Sequence, residues 1–300
     1  FFFKQKTAYE IVDCDWSSDV CSSDLTTNPA IFSASISGSD LYRDEISALS
    51  NSGADAEAII TALTTSDVRK ACDLFMPVYL GSNGVDGRVS IEVDPRFARD
   101  TSSTLAQARE LWRIVDRPNV LIKVPATVEG LPAIRTLISE GISVNVTIIF
   151  SVARYQEVLE SFITGLEDRR TAGMSLDGIH SVASFFISRV DTEVDPRLKA
   201  SGNVELLGRA AIANARLAYQ HFLSVKDSPR WKQLETSGAY IQRPLWASTG
   251  VKDPNYSPTK YVMELVAAHT VNTMPEATLS AVRDSMSGAS DSITPFFADD

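Results

Sequence analysis

A lysine between two branched apolar residues is costly to bury, and Lys123 stands so, between Ile122 and Val124 in the run NVLIKV over 119–124, which carries no other charge. Desolvation disfavours an ammonium ion and can leave a neutral amine able to attack a carbonyl. The chemistry such a lysine implies is imine, or Schiff-base, formation. That reaction needs groups that move protons while the carbinolamine forms and loses water. Glu92 in RVSIEV (88–93) and Thr147 in ISVNVTIIF (142–150) are candidates to bracket a water for that purpose. Asn145 is a candidate for binding substrate hydroxyls. Each has a plainer alternative: Lys123 as the charge on an edge strand, Glu92 as one half of a structural ion pair, Asn145 as a polar residue satisfied by its neighbours.

These residues must be positioned by strands. Runs rich in branched residues occur at 88–93, 119–124, 142–150, 179–186, 239–247 and 267–273. Between them lie helix patterns over 104–115, 131–139, 151–166, 204–223 and 259–268, the last with Ser257 as N-cap and Pro258 at the first helical position. Repeated strand–helix alternation means parallel strands joined by crossover helices, an α/β fold. Within the strands, Val89, Ile91 and Val93 oppose Ser90, Glu92 and Asp94; Val120, Ile122 and Val124 oppose Leu121 and Lys123; Val144, Val146 and Ile148 oppose Ser143, Asn145 and Thr147. A sheet covered by helices on both faces reads as continuous apolar runs instead. One apolar face, with polar groups gathering toward the strand ends, suits a barrel whose chemistry sits at its C-terminal mouth. No GxGxxG and no P-loop follows a strand, so a nucleotide-binding sheet lacks its fingerprint.

Composition narrows the class. The 300 residues are 44% hydrophobic and 22% charged, with 28 Lys+Arg against 38 Asp+Glu and a net charge of −10, which argues against a nucleic-acid partner. No apolar stretch approaches the roughly 18–20 residues of a membrane span, so a cytoplasmic enzyme with no membrane partner is expected. Cys14, Cys21 and Cys72 make no even disulfide framework, and His180, His221 and His269 have no metal-ligand spacing.

The segments TTNP (26–29), SIEVD (90–94), LIKVPAT (121–127), NVT (145–147) and PLWASTG (244–250), in that order, closely resemble transaldolase, in particular its longer bacterial branch, which is also found fused to glucose-6-phosphate isomerase. The resemblance runs from about Thr26 to the C-terminus. It implies a (β/α)8 TIM barrel that moves a dihydroxyacetone unit between sugar phosphates through a lysine Schiff base, without cofactor or metal, in the pentose phosphate pathway. It matches Lys123 to the Schiff-base lysine and Glu92 and Thr147 to the pair holding the catalytic water. Asn28 and Asn145 match residues that bind substrate hydroxyls, and Ser184 and Phe186 match a wall of the substrate site. For the substrate phosphate it matches Arg189, whose alternative is a surface ion pair, and Ser248. Other members carry an arginine two residues after that serine, where this chain has Gly250, so Lys252 is expected to supply the charge. Sugar phosphates are the implied partners, and a homo-oligomer is left open.

Residues 1–25 do not continue these patterns. Eight of the twelve residues from Asp13 to Asp24 are Ser or Asp, and the segment resembles translated read-through of a sequencing adapter. A non-native or disordered leader is therefore expected over 1–25, with the barrel over 26–300. On the resemblance, that barrel lacks its first strand and most of its second and is truncated at its C-terminus. The acid–base aspartate of the family lies on the first strand, and none of Asp13, Asp15, Asp19 or Asp24 belongs to the family motif. Tyr9 to Val12 is a candidate to pair with the open barrel edge. The expectation is a transaldolase fragment of impaired activity; a fructose 6-phosphate aldolase-like enzyme and a non-catalytic sugar-phosphate-binding fragment are the alternatives.

Overall fold

The computed structural model describes residues 24–286. The leader positions 1–23, with the candidate strand at Tyr9 to Val12, lie outside the described residues. The chain forms two compact units that divide between Val124 and Pro125.

In the first unit, β1 (Leu25–Thr26) is followed by α1 (Pro29–Gly38), α2 (Arg43–Asn51) and α3 (Ala56–Gly81), then β2 (Val89–Glu92), α4 (Thr101–Val115) and β3 (Val120–Pro125). The strands are parallel and adjacent in sequence order, with Leu25 beside Val89, Val89 beside Val120 and Glu92 beside Lys123. Local chemistry sets the helix starts. Asn28 accepts from the N–H of Ile31 at the head of α1 with Pro29 in its first turn, Asp55 caps α3, and Asp100 accepts from Ser102 and Ser103 in α4. The buried residues of α4 (Thr104, Ala108, Leu111 and Val115) fall at the three- and four-residue spacing of one helix face. As expected, Val89, Ile91 and Val93 are all within 2% of full burial. Leu25, the last leader position, is an integral strand residue and is buried.

The second unit runs α5 (Gly130–Glu140), β4 (Val144–Ile149), α6 (Val152–Thr171), β5 (Ser181–Phe186), α7 (Ser188–Ser201), α8 (Ala210–Lys226), α9 (Pro229–Thr236), β6 (Arg243–Ala247), α10 (Lys260–Met263), β7 (Val271–Asn272) and α11 (Glu276–Met286). Strands β4 to β7 are parallel, each beside its sequence neighbour. Sequential order with helical crossovers is the repeat of a TIM barrel, whereas a doubly wound sheet reverses its order. The fold class is therefore α/β of the TIM-barrel type. Gly165 of α6 lies so close to α5 that a Cβ there would stand 2.6 Å from the Arg135 carbonyl oxygen. Trp246 is fully buried on β6, its indole N–H donating to the Leu265 carbonyl at 2.9 Å.

Three local expectations need correction. Ile148 does not share the buried face of Val144 and Val146: β4 advances from Val146 to Ile149 while β5 advances only from Ala183 to Phe185, so one extra residue bulges. Ile148 is that residue, at φ 56° and 41% exposed, and Ile149 takes the buried place. The helix pattern over 204–223 is broken at Gly208, whose φ of 70° no helix accommodates, into a single 3-10 turn (Val204–Leu206) and α8. The pattern over 259–268 yields one helical turn, and Ser257–Pro258 forms the turn ahead of it instead of capping it.

Candidate active site

In the first unit, Lys123 is 7% exposed, so the solvent-facing edge-strand reading fails. Its Nζ lies 3.1 Å from Glu92 Oε2 and donates to the Thr27 carbonyl at 3.3 Å. The register explains the pair: Glu92 and Lys123 are directly opposite on parallel strands, with side chains on the same face. The ion pair offered as an alternative for Glu92 is thus made, and its partner is Lys123 itself. Thr27 is held in turn, its hydroxyl and its N–H both donating to the Ser90 carbonyl at 2.8 and 3.2 Å. Asn28 is half-buried, and its side-chain oxygen is spent on the Ile31 N–H at 2.9 Å, which leaves its amide hydrogens for other acceptors. Asp24 lies at the opposite strand end from Lys123: it accepts from the Arg88 N–H at 2.7 Å, four residues before the Glu92 level or about 13 Å along the strand. Cys72 is a core residue whose thiol burial pushes up to about 12, so it is not a nucleophile.

In the second unit, Asn145 and Ser184 are buried and meet each other, the serine hydroxyl donating to Asn145 Oδ1 at 2.7 Å. Thr147 is 1% exposed, and its hydroxyl has no hydrogen-bond partner among the described residues. The backbone beside it is strained at the Ile148 bulge, a β-branched residue at positive φ. Phe186 is half-buried, its ring centroid 5.0 Å from that of Phe150, and the Arg189 guanidinium lies over the same ring at 5.6 Å.

Arg189 stands in the first turn of α7, exposed and with no carboxylate partner among the described residues. The surface ion pair offered as its alternative is not made. Next to it, the Ser188 N–H donates to the Ser248 carbonyl at 3.1 Å, and the two hydroxyls lie 3.3 Å apart. Ser248 sits at φ 56° just past β6, a second non-glycine residue in the left-handed region at a strand end. Lys252 is exposed and likewise has no carboxylate partner among the described residues. A Cβ at Gly250 would meet the Pro275 ring first, at 3.0 Å, with the Lys252 Nζ 3.8 Å away. Thr27 was not legible as a neighbour of Lys123, because it meets the lysine through its backbone carbonyl, which leaves no residue-type signal.

Parallel strands in sequential β/α order define the class, an α/β protein of the TIM-barrel type, and two of those strands carry a buried lysine–carboxylate pair. The family model described as transaldolase/fructose-6-phosphate aldolase matches residues 10–299, and the chain belongs to that family. It is 59% identical over 264 residues to a transaldolase of Mycobacterium tuberculosis, covering 87% of this chain and 71% of that protein. Similar relatives are a transaldolase of Mycolicibacterium smegmatis, 59% identical over 263 residues (87% and 71% covered), and one of Mycobacterium ulcerans, 56% identical over 274 residues (90% and 74% covered). The chain is thus an enzyme that transfers aldehyde or ketone groups. No helix among the described residues is long and apolar enough to cross a membrane.

Proposed function

We propose that this chain carries the catalytic lysine of a transaldolase of the pentose phosphate pathway, exchanging sedoheptulose 7-phosphate and glyceraldehyde 3-phosphate for erythrose 4-phosphate and fructose 6-phosphate in the cytoplasm. The observation that carries the reading is Lys123, buried and 3.1 Å from Glu92, inside the LIKVPAT motif. Its amine adds to the ketose carbonyl, the carbinolamine loses water, and the resulting iminium draws electrons from the bond to be broken. Glu92 and Thr147 hold the water that relays those protons; the pairing of Glu92 with Lys123 and the orphaned Thr147 hydroxyl support these roles.

Asn28, Asn145, Ser184 and Phe186 are assigned to the sugar. Arg189, Ser248 and Lys252 are assigned to its phosphate. Both cations lack carboxylate partners among the described residues, and the α7 N-terminus adds a favourable dipole for an anion. The nearness of the Lys252 ammonium to Gly250 supports Lys252 as the group that replaces the arginine of other members, as a point charge and not as a fork. No residue is assigned to the acid–base step of carbon–carbon cleavage.

The test is acceptor dependence. A transaldolase turns fructose 6-phosphate over to glyceraldehyde 3-phosphate only when erythrose 4-phosphate is present to take the three-carbon unit; without it, release stops once each lysine holds that unit. Release at the same rate without acceptor would instead establish the aldolase activity that the family description also names.

A further inference from the structure

Two buried carboxylates of the second unit have no part in the reading above. Asp191 and Asp195 lie one turn apart on α7 and are 2% and 6% exposed. Each is shared in the same way. Asp191 accepts from the Ala211 N–H at the head of α8 and from the Tyr261 hydroxyl, both at 2.8 Å. Asp195 accepts from the Gly208 N–H at 3.0 Å and from the Tyr256 hydroxyl at 2.6 Å. Burial, reinforced by the carboxylates, pushes both phenols up, so each stays an O–H donor. The Tyr256 ring lies against Gly208, where a Cβ would stand 2.8 Å from its Cζ.

The placement of these bonds gives them meaning. The stretch 248–261 leaves the C-terminal end of β6 and carries Lys252; α7 carries Arg189 two residues before Asp191. At its near end the stretch is tied to α7 through Ser188 and Ser248, and at its far end through the two Asp–Tyr bonds. Between them lies a half-exposed ion pair, Lys199 to Asp253 at 3.8 Å, of the kind that contributes little.

We propose that Asp191, Asp195, Tyr256 and Tyr261 are positioning residues for the sugar-phosphate site, holding the stretch that carries Lys252 on the helix that carries Arg189 so that both cations serve one phosphate. This rests on the phosphate role given to those cations. Hydrogen bonds to buried carboxylates are strong and directional. With one removed, the stretch samples other positions, and apparent affinity falls by the fraction of time spent in them.

The experiment measures half-saturation of borohydride trapping at Lys123 with fructose 6-phosphate and, in parallel, with dihydroxyacetone, which has no phosphate. Tyr256→Phe is expected to raise the fructose 6-phosphate value at least fivefold and the dihydroxyacetone value less than twofold. Asp195→Asn, which keeps the shape and an acceptor for Tyr256, is expected to fall between wild type and Tyr256→Phe. Lys252→Ala is the control for the phosphate reading. If it raises the fructose 6-phosphate value while Tyr256→Phe does not, the positioning role is overturned and the phosphate site stands. If neither Lys252→Ala nor Arg189→Ala moves that value, the phosphate reading falls and this proposal with it. An equal rise for both ketones overturns the proposal in favour of a purely structural role. If Tyr256→Phe does not fold, Tyr261→Phe carries the same comparison.

Discussion

Replacing Thr147 by valine removes one hydroxyl and leaves a methyl of nearly the same size. For most buried hydroxyls this is costly. Ser184, for example, donates to Asn145 at 2.7 Å, and Ser184→Ala is expected to cost about 1–3 kcal/mol by stripping that donor from a buried acceptor. Thr147 has no such bond to lose among the described residues. A buried hydroxyl without a partner carries a penalty of about 1–3 kcal/mol. A bound water brings that cost close to zero, because one hydrogen bond is worth only about 1 kcal/mol net. Thr147→Val is therefore expected to leave stability unchanged or raise it by up to about 2 kcal/mol, a Tm rise of up to roughly 6 °C. Over the same change, trapping at Lys123 should slow roughly a hundredfold, the scale of a lost proton relay. The assays are calorimetric melting and the rate of borohydride-dependent adduct formation. A loss of more than about 1 kcal/mol with trapping unimpaired would refute the reasoning, since the hydroxyl would then serve the fold and not the chemistry.

Other outcomes follow from the framework around the site. Gly165→Ala forces a Cβ to 2.6 Å from the Arg135 carbonyl and 2.9 Å from Ile138 Cβ. Overpacking of about 3 kcal/mol against a helix-propensity gain of about 1 leaves a net loss of about 2 kcal/mol, read by urea unfolding. Arg230 hydrogen-bonds both Glu160 and Glu167 and thereby holds both carboxyls below the usual glutamate range. Groups lowered in the folded state contribute stability above the ordinary glutamate value near 4.3 and lose it as pH falls through the lowered values. Arg230→Gln should accordingly lose about 0.5–1 kcal/mol at neutral pH, and its stability should fall less than that of wild type as the solution is acidified. Lys252→Ala should raise the half-saturating fructose 6-phosphate concentration roughly tenfold, as for loss of one phosphate cation worth about 1.4 kcal/mol.

Much of this was legible because it is carried by short periods. β2, β4, β5 and β6 lie inside the runs read as strands and β3 passes its run by one residue, Pro125; in β2 to β4 branched residues alternate over four to six positions. Lys123 stood out because it is the lone charge in such a run, and only its burial excludes the edge-strand alternative. What escaped depends on contacts distant in sequence. The bulge at Ile148 arises from register against β5, and IIF reads as a plain apolar run until that partner is known. The break falls at a glycine, Gly208, but the tyrosine ring packed against it comes 48 positions later. Asp191 and Asp195 look like any acidic pair on a helix, and only their tyrosine and backbone partners reveal them as buried acceptors. The Ser257–Pro258 signal failed for a different reason: a cap residue needs a helix to follow at once, and this one starts at Lys260.

The central claim is that the Lys123 amine forms the imine. Borohydride reduction in the presence of fructose 6-phosphate, followed by intact mass and peptide mapping, tests it directly. An adduct on Lys123, whether of a dihydroxyacetone unit or of the whole hexose phosphate, and its absence in Lys123→Met, is the predicted result. Folded protein that yields no adduct, or that yields it on another lysine while Lys123→Met reacts as before, would contradict the account.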